Sequence, residues 1–312
     1  MKIWCDRDNV RIVYNPMSNH DEKFNPAGTD NCGPVHKGQC LGAGMAGHND
    51  SGRILSEADG TCTGSFGPFV LKTALQPILG RDRSGVLMLR GLEGLLRLFV
   101  NDRPFGTAEF LARVGQTERV ALDALCRQIH LINASAEPTG SALLFLNFDP
   151  GIYESNRQIA AQVSRLKADV GASGFSARDI VCEMTEQPIL SLARMRYLIE
   201  SLRESGFRIA VDDFGAESSD SHRVDQIRPE FIKLDAKWVA RLMQSQSGFA
   251  ALKDAVARFR QGGAAIVIEG LEQDFQVDLA WGAGADLIQG YALARPQLTP
   301  TNFSQLFRRG AA

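Results

Sequence analysis

The sequence has no excess of charge of either sign. Its formal net charge is −2 over 312 residues, with 34 Lys and Arg against 36 Asp and Glu. Proteins that bind long nucleic acids usually carry a basic excess. We therefore expect no long nucleic acid as a partner, although a local basic patch for a small anionic ligand is compatible with this balance.

Long hydrophobic runs are also missing. No apolar stretch approaches the ~18 residues of a membrane span. The first ten residues, MKIWCDRDNV, carry charges where a signal peptide has its apolar core. These two absences lead us to expect no membrane span and a cytoplasmic protein.

Cysteines are few, and no C-x₂-C pair occurs among the six. In a reducing cytosol, such cysteines are thiols or metal ligands rather than disulfides. The spacing Cys32-x₃-His36-x₃-Cys40 is compatible with zinc. The candidate zinc ligands in the N-terminal part of the sequence are Cys5, Cys32, His36, Cys40 and His48. The alternative, which the loose spacing favours, is a loop-rich segment whose thiols are small apolar groups.

The composition and the hydrophobic pattern of the sequence change near residue 70. Residues 1–68 are rich in Gly, Asn, Asp, Cys and His, and stretches such as FNPAGTDNCGP are typical of turns. This composition predicts an irregular N-terminal segment, with room for a short strand within residues 3–13. From residue 69 to residue 312, apolar runs alternate with amphipathic stretches, which predicts a separate folded domain.

Five apolar runs of this second region have the character of buried strands. They are LLFLNF (143–148), DIVCEM (179–184), RIAVDD (208–213), FIKLD (231–235) and AAIVIEG (264–270). Between them, apolar residues recur at helical spacing, as from Leu192 to Leu202. Strands and helices that alternate over ~240 residues imply a parallel sheet and favour a TIM-type (β/α)8 barrel. A doubly wound open sheet is the alternative.

A polar side chain stands at or near the end of each of these runs and of two more, VLMLRGL (86–92) and ADLI (285–288). These residues are Glu93, Asn147, Glu183, Asp212, Asp213, Lys233, Glu269 and Gln289. In a β/α barrel the strand ends meet at one mouth, where such enzymes place their chemistry. Converging carboxylates repel one another and need cations or protons. Any single one has the alternative role of a helix cap, but caps do not require an Asn, a Lys and a Gln at the remaining positions.

Carboxylates with an Asn carbonyl suit Mg²⁺ or Mn²⁺. The adjacent Asp212 and Asp213 are able to serve two ions at once. Two metals ~3.5–4 Å apart form a clamp for phosphodiester cleavage. The residues alone therefore indicate a metal-dependent reaction on a phosphate ester.

Taken in order, the motifs resemble those of the EAL domain family of cyclic di-GMP phosphodiesterases. The matching segments are LQPIL (75–79), Glu93-Gly94-Leu95, LNFDP (146–150), CEMTEQPI (182–189), VDDFGA (211–216), FIKLDAKWV (231–239), IEGLEQ (268–273) and QGYALARP (289–296). The resemblance covers about residues 69–308. It implies an EAL-type barrel that cuts one phosphodiester bond of cyclic di-GMP to give linear pGpG with two divalent cations. Many members are homodimers, so a homodimer is one expected assembly.

The resemblance also implies roles for single residues. The implied metal ligands are Glu93, Asn147, Glu183, Asp212, Asp213 and Glu269, with Asp212 bridging both ions. The implied catalytic residues are Lys233 beside the attacking water, Glu269 as a proton acceptor, and Glu186 and Glu272 as supports of loop and site geometry. The implied substrate contacts are Gln76, Leu95, Arg97, Gln289 and Pro296.

Two departures from the family pattern stand out. The namesake motif reads EGL, with Gly94 in place of Ala. After Asp-Asp-Phe-Gly, the family's T/A-G-Y/F-S-S is replaced by residues 216–220, AESSD, which bring in two acidic side chains. This altered loop keeps open a second reading, that of a cyclic di-GMP receptor with little turnover. No GGDEF-like motif is present, so a dual synthase and hydrolase is not expected.

Overall fold

The structure is a computed structural model that describes residues 52–184, 192–215 and 221–309, with short pieces of backbone at residues 5–6 and 9–10. The strands are β1 (Cys5–Asp6), β2 (Asn9–Val10), β3 (Arg53–Ser56), β4 (Cys62–Phe66), β5 (Phe69–Arg81), β6 (Leu87–Val100), β7 (Arg103–Phe105), β8 (Leu143–Phe148), β9 (Ile180–Met184), β10 (Arg208–Phe214), β11 (Phe231–Leu234), β12 (Ala265–Ile268), β13 (Leu287–Ile288), β14 (Gln297–Leu298) and β15 (Arg308–Arg309). The α-helices are α1 (Thr107–Arg113), α2 (Gln116–Ala136), α3 (Asn156–Ser173), α4 (Leu192–Glu204), α5 (Ser221–Ile227), α6 (Ala236–Leu242), α7 (Gln246–Gln261), α8 (Asp274–Ala283) and α9 (Phe303–Leu306).

Eight strands close into a barrel in the order β6, β8, β9, β10, β11, β12, β13 and β5, and β5 pairs back onto β6. Helices α2, α3, α4 and α7 pack against these strands on the outside. The closure confirms the TIM-type barrel and rules out the open doubly wound sheet. The five predicted strand runs are β8 to β12, and the helical pattern from Leu192 to Leu202 lies in α4.

One strand of the barrel runs against the others. Strand β5 is antiparallel to both of its neighbours, β6 and β13, whereas the alternation of strands and helices predicted a parallel sheet throughout. The reason is the connection to β6. The Oδ1 atom of Asp82 accepts hydrogen bonds from the backbone N–H groups of Ser84 and Val86, and a turn this short joins only antiparallel neighbours.

Strands β5 and β6 are 13 and 14 residues long, and they continue past the barrel. Their outer halves pair with β4 and β7, and β3 pairs with β4. Helices α1 and α2 cover this extension with a second apolar cluster that includes Phe69, Phe110 and Leu125. Residues 53–66 of the predicted irregular segment thus form two strands, while the boundary at residues 68 and 69 stays a prediction.

The cysteines of the domain behave as small core residues. Cys126 and Cys182 are buried free thiols. Burial raises the pKa of the Cys182 thiol to about 12, which keeps it protonated. Across the described ranges, none of the helices combines the length and the hydropathy needed to cross a bilayer.

Candidate active site

The inside of the barrel is built in two layers. The lower layer is apolar and consists of Ile78, Phe145, Val181, Ala210, Phe231, Val267 and Leu287, with Gly91 on β6. The upper layer lies two residues further toward the mouth on each strand and consists of Gln76, Glu93, Asn147, Glu183, Asp212, Lys233, Glu269 and Gln289. Side chains two apart on a strand share a face. Each barrel strand therefore gives one small or apolar residue to the floor and one polar residue to the mouth.

The floor explains a glycine in β6. A Cβ atom at Gly91 would lie 2.8 Å from Cε2 of Phe145, so that ring occupies the volume of a side chain at position 91. Glu93 follows two residues later in the middle of β6, because the strand continues past the barrel and pairs with β7. The sequence suggested that the strand ends with the apolar run VLMLRGL, but β6 continues beyond it to Val100.

Lys233 lies among four buried carboxylates of the upper layer. Its Nζ atom is 2.5 Å from Glu183 Oε1, 3.2 Å from Glu93 Oε2, 3.3 Å from Asp212 Oδ1 and 3.6 Å from Glu269 Oε1. None of these five side chains is more than 2% exposed. One cation therefore faces four groups that are anionic in water, and all five side chains are buried.

Burial dominates the electrostatics of this cluster. It raises the pKa of Glu183 to about 8, because a buried carboxylate loses the hydration that favours its charged form. Lys233 opposes this rise, whereas Glu93 and Asp212 add to it by repulsion. Nearby, the Gln289 side chain donates from Nε2 to Glu93 Oε2 at 2.8 Å and so holds one carboxylate oxygen in place.

The residues of the mouth fit divalent cations by their chemistry. Among the described residues, no group of three or more His, Cys, Asp or Glu is arranged as a metal site, and the ammonium of Lys233 lies between the carboxylates that would form one. Glu183 Oε2 and Gln289 Oε1 are buried and accept no hydrogen bond from the described part of the chain. Oxygen donors in excess of nearby positive charge are what Mg²⁺ and Mn²⁺ bind.

Asp212 and Asp213 lie at an irregularity of β10. The pairing register with β11 shifts between Val211 and Phe214, and Asp213 has a φ of +55°. A non-glycine residue in this left-handed region is uncommon and is found often at functional sites. Asp212 is buried, whereas the next residue, Asp213, is half-buried.

Gly215 follows this bulge under a tight constraint. Its φ is +106°, and a Cβ atom there would lie 2.5 Å from the ring of Trp238. Both the backbone conformation and the indole require glycine at this position. The Asp-Asp-Phe-Gly motif is therefore explained locally, whereas residues 216–220, which follow it, lie outside the described residues.

The expected substrate contacts lie on two strands and one connection. Glu93, Leu95 and Arg97 share one face of β6 because they are two residues apart. Leu95 is buried, and half-buried Arg97 donates from Nη1 to the Leu96 carbonyl at 3.0 Å. Gln76 on β5 donates from Nε2 to the Ala294 carbonyl at 3.4 Å.

Two expected site residues are not in this cluster. Glu272 is exposed before α8, where its backbone N–H donates to Gln276 Oε1, and no ion pair links its side chain to Lys233 among the described contacts. Pro296 is half-buried just before β14. Glu186 lies outside the described residues, as do Cys32, His36, Cys40 and His48 of the suggested zinc site.

One neighbour of the mouth was missed from the sequence. His130 lies in α2 and is only 4% exposed. Its imidazole packs against Gly94, the residue between Glu93 and Leu95. The two residues are far apart in the sequence and share no local pattern, so nothing in the sequence connects them.

Comparison with known proteins gives one family match and several relatives. The model of the EAL domain matches residues 70–296. The chain is 26% identical over 211 residues to the uncharacterized EAL-domain containing protein YkuI of Bacillus subtilis, which covers 67% of this chain and 51% of YkuI. It is 30% identical over 143 residues to the cyclic di-GMP phosphodiesterase RocR of Pseudomonas aeruginosa, which covers 45% of this chain and 36% of RocR. The chain thus spans about half of YkuI and about a third of RocR.

Two solved structures are similar to the barrel. The Bacillus subtilis YkuI protein in complex with c-di-GMP and calcium has a TM-score of 0.65 at 23% identity, over 76% of this chain and 57% of that one. Klebsiella pneumoniae BlrP1, in a complex with manganese and c-di-GMP, has a TM-score of 0.64 at 23% identity, over 79% of this chain and 58% of that one. At these identities, the likeness shows the fold.

Proposed function

The chain belongs to the EAL domain family, and from this membership we propose that it is a metal-dependent phosphodiesterase that hydrolyses cyclic di-GMP to linear pGpG. The observation that carries the proposal is the buried mouth, where four carboxylates surround Lys233. A barrel that only needed to fold would not keep four buried carboxylates in one place, because each costs desolvation energy.

The carboxylates supply the donors for two divalent cations, Mg²⁺ or Mn²⁺. Under the proposal, Glu93, Asn147, Glu183 and Asp212 would hold the first ion, and Asp212, Asp213 and Glu269 would hold the second. Two such ions offset the phosphate charge and lower the pKa of a bound water. The two similar structures are complexes of cyclic di-GMP with calcium and with manganese, which supports divalent cations here.

Lys233 and Glu269 have separate tasks in the proposed reaction. The ammonium of Lys233 is fixed by four carboxylates, and it provides positive charge where negative charge develops on the phosphate. Glu269 contributes a carboxylate 3.6 Å from Lys233 Nζ, and it accepts a proton from the attacking water. Gln289 orients Glu93 through its hydrogen bond and lines the same space.

Substrate contacts surround this centre. Gln76, Leu95, Arg97 and Pro296 are the proposed contacts to the dinucleotide, with Arg97 offering a planar fork to a phosphate or a guanine edge. Leu95 and Arg97 follow Glu93 on the same face of β6. The strand therefore connects metal binding with substrate binding. Glu186 and Glu272 keep only their proposed supporting roles. A homodimer and a cytoplasmic location stay predictions from the sequence.

Product analysis tests the proposal. Purified protein is incubated with cyclic di-GMP and Mg²⁺ or Mn²⁺, and the nucleotides are separated by ion-exchange chromatography. We expect linear pGpG with either metal and none with excess EDTA. Metal-dependent binding of cyclic di-GMP without any product would contradict the proposed hydrolysis and would support the receptor reading that the altered loop at residues 216–220 raised.

A further inference from the structure

Helix α2 places one side chain against the strand that carries Glu93. A Cβ atom added to Gly94 would lie 3.0 Å from His130 Cγ, 3.1 Å from Cβ and 3.1 Å from Cδ2. Carbon atoms in proteins approach one another to about 3.5–4.0 Å. The imidazole therefore occupies the space that the methyl group of an alanine would need at this position, and the EGL form of the motif is matched to His130.

The direction of this contact matters for the mouth. Because side chains alternate along a strand, Glu93 and Leu95 face the inside of the barrel while Gly94 faces α2. His130 thus supports β6 from behind at the residue between a proposed metal ligand and a proposed substrate contact. A shift of the strand at Gly94 moves both neighbours.

A hydrogen-bond network fixes the position of the imidazole. Its Nδ1 atom is 2.9 Å from Thr73 Oγ1 on β5. Asn133 donates from Nδ2 to the same hydroxyl at 2.9 Å. The orientation of the Asn133 amide is set by Cys62, whose backbone N–H donates to Asn133 Oδ1 at 2.8 Å. The network links α2 to β5, which contributes Gln76 to the mouth, and to β4.

The imidazole does not act as a proton carrier. Burial, followed by the positive charges of Arg97 and Arg127, lowers the pKa of His130 to about 3. The ring is thus neutral at physiological pH, and a Thr73 hydroxyl that accepts from Asn133 is free to donate to Nδ1. A neutral, hydrogen-bonded ring of fixed volume acts as a spacer.

We propose that His130 is a positioning residue, which with Gly94 sets how far β6 projects into the mouth and so places Glu93 and Leu95. This inference rests on the proposed function, because its Mn²⁺ readout takes Glu93 as a metal ligand and its kinetic readout takes cyclic di-GMP as the substrate. A change of a few tenths of an ångström at position 94 alters the distance between Glu93 and the groups around it. Residues outside the metal ligands that orient them typically contribute about 10–100-fold to metal affinity.

The test uses Gly94→Ala, His130→Ala and the double variant. Leu122→Ala is the control, because Leu122 is a buried residue of the same helix in the second apolar cluster. Isothermal titration calorimetry gives the Mn²⁺ affinity of each protein without substrate. Steady-state kinetics with cyclic di-GMP gives kcat and KM, and thermal unfolding shows whether each variant is folded. We expect Gly94→Ala to weaken Mn²⁺ binding and to lower kcat by about tenfold each, with a smaller change in KM. Leu122→Ala lowers the unfolding temperature without either effect.

The double variant decides between positioning and packing. If the imidazole of His130 is what conflicts with the methyl group of Ala at position 94, adding His130→Ala to Gly94→Ala removes the conflict. Mn²⁺ affinity and kcat of the double variant then return to within about threefold of the wild type. If Gly94→Ala fails to fold, recovery of folding and Mn²⁺ affinity in the double variant supports the same pairing. Additive losses, or a Gly94→Ala protein with wild-type affinity and kcat, overturn the inference. A wild type that binds Mn²⁺ without hydrolysis overturns the proposed function, while the affinities still decide this inference.

Discussion

The Nζ atom of Lys233 lies 2.5 Å from Oε1 of Glu183, and neither side chain is exposed to solvent. Among the described residues, the pair is the shortest of the four ionic contacts of this lysine. Since one ammonium does not neutralise four carboxylates, further positive charge or bound protons must stabilise the cluster. Protonation of Glu183 and binding of divalent cations are thus alternative ways to reach the same balance.

This competition gives a pH dependence of stability in metal-free protein. The pKa of Glu183 is raised from 4.5 to about 8 in the folded state. Folded protein therefore holds a proton that unfolded protein has lost, and the resulting stability is present below the unfolded pKa and is lost as the pH rises toward 8. We expect the unfolding temperature in EDTA to fall between pH 5 and pH 8. Mn²⁺ should raise the unfolding temperature more at pH 8 than at pH 5. In Glu183→Gln, the unfolding temperature in EDTA should depend less on pH than in the wild type. A rise with pH in EDTA contradicts this account.

Asp212→Asn tests the proposed bridging ligand. The change keeps the shape of a side chain that is 2% exposed and removes its charge. We expect turnover of cyclic di-GMP to fall by orders of magnitude while the barrel stays folded by circular dichroism. Asp254→Asn, on the exposed face of α7, is the matched control and should keep full activity. Wild-type turnover in Asp212→Asn means that the two-metal assignment is wrong.

Lys233→Gln tests the cation of the mouth. Removing one partner from a buried ion pair costs about 3–5 kcal/mol, so we expect a comparable loss of unfolding free energy in EDTA. Divalent cations should restore more stability in this variant than in the wild type, since they supply the missing positive charge. Lys253→Gln, an exposed change on α7, should have little effect. Equal loss of stability with and without Mn²⁺ would show that Lys233 and the metals do not share the same carboxylates.

The loop at residues 216–220 gives a prediction from sequence alone. Glu217 and Asp220 come soon after Asp213 in the sequence, and like charge close to an anionic ligand raises the cost of binding. Restoring the family pattern with Glu217→Gly and Ser218→Tyr should raise kcat if the loop limits catalysis. It should lower kcat if Glu217 has acquired a new role as a ligand or a dimer contact. Steady-state kinetics at equal metal concentration separate these outcomes. A fast wild-type enzyme whose kcat is unchanged by the two substitutions would contradict both explanations of the loop.

The polar layer of the mouth was accessible from sequence because its signal is local. Glu183, Asp212 and Lys233 each follow an apolar run, and the alternation of side chains on a strand places them two residues above the floor. The direction of β5 was not accessible, because an apolar run has the same pattern whichever way the strand runs. Residues 53–66 were missed because CTGSF has too little hydrophobic alternation to indicate a strand.

The contact between His130 and Gly94 marks a different limit. His130 occupies a position in α2 that the sequence pattern leaves undecided, and Gly94 reads as a small departure from a motif. Only the packing of α2 on β6 joins them. Similarly, the sequence indicated that Lys233 would lie at the mouth, but not that its ammonium would contact four carboxylates at once. Local patterns predict which face a residue is on, and tertiary contacts determine its neighbours.

The pairing of β5 with β13 also has a consequence for folding during synthesis of the chain. Closure pairs Leu79 of β5 with Ile288 of β13, so residues near opposite ends of the domain must meet. During synthesis from the N-terminus, β5 and β12 present unpaired backbone groups until β13 emerges. Open strand edges are templates for pairing with other chains. The nascent domain is therefore most exposed to aggregation just before its last barrel strand leaves the ribosome.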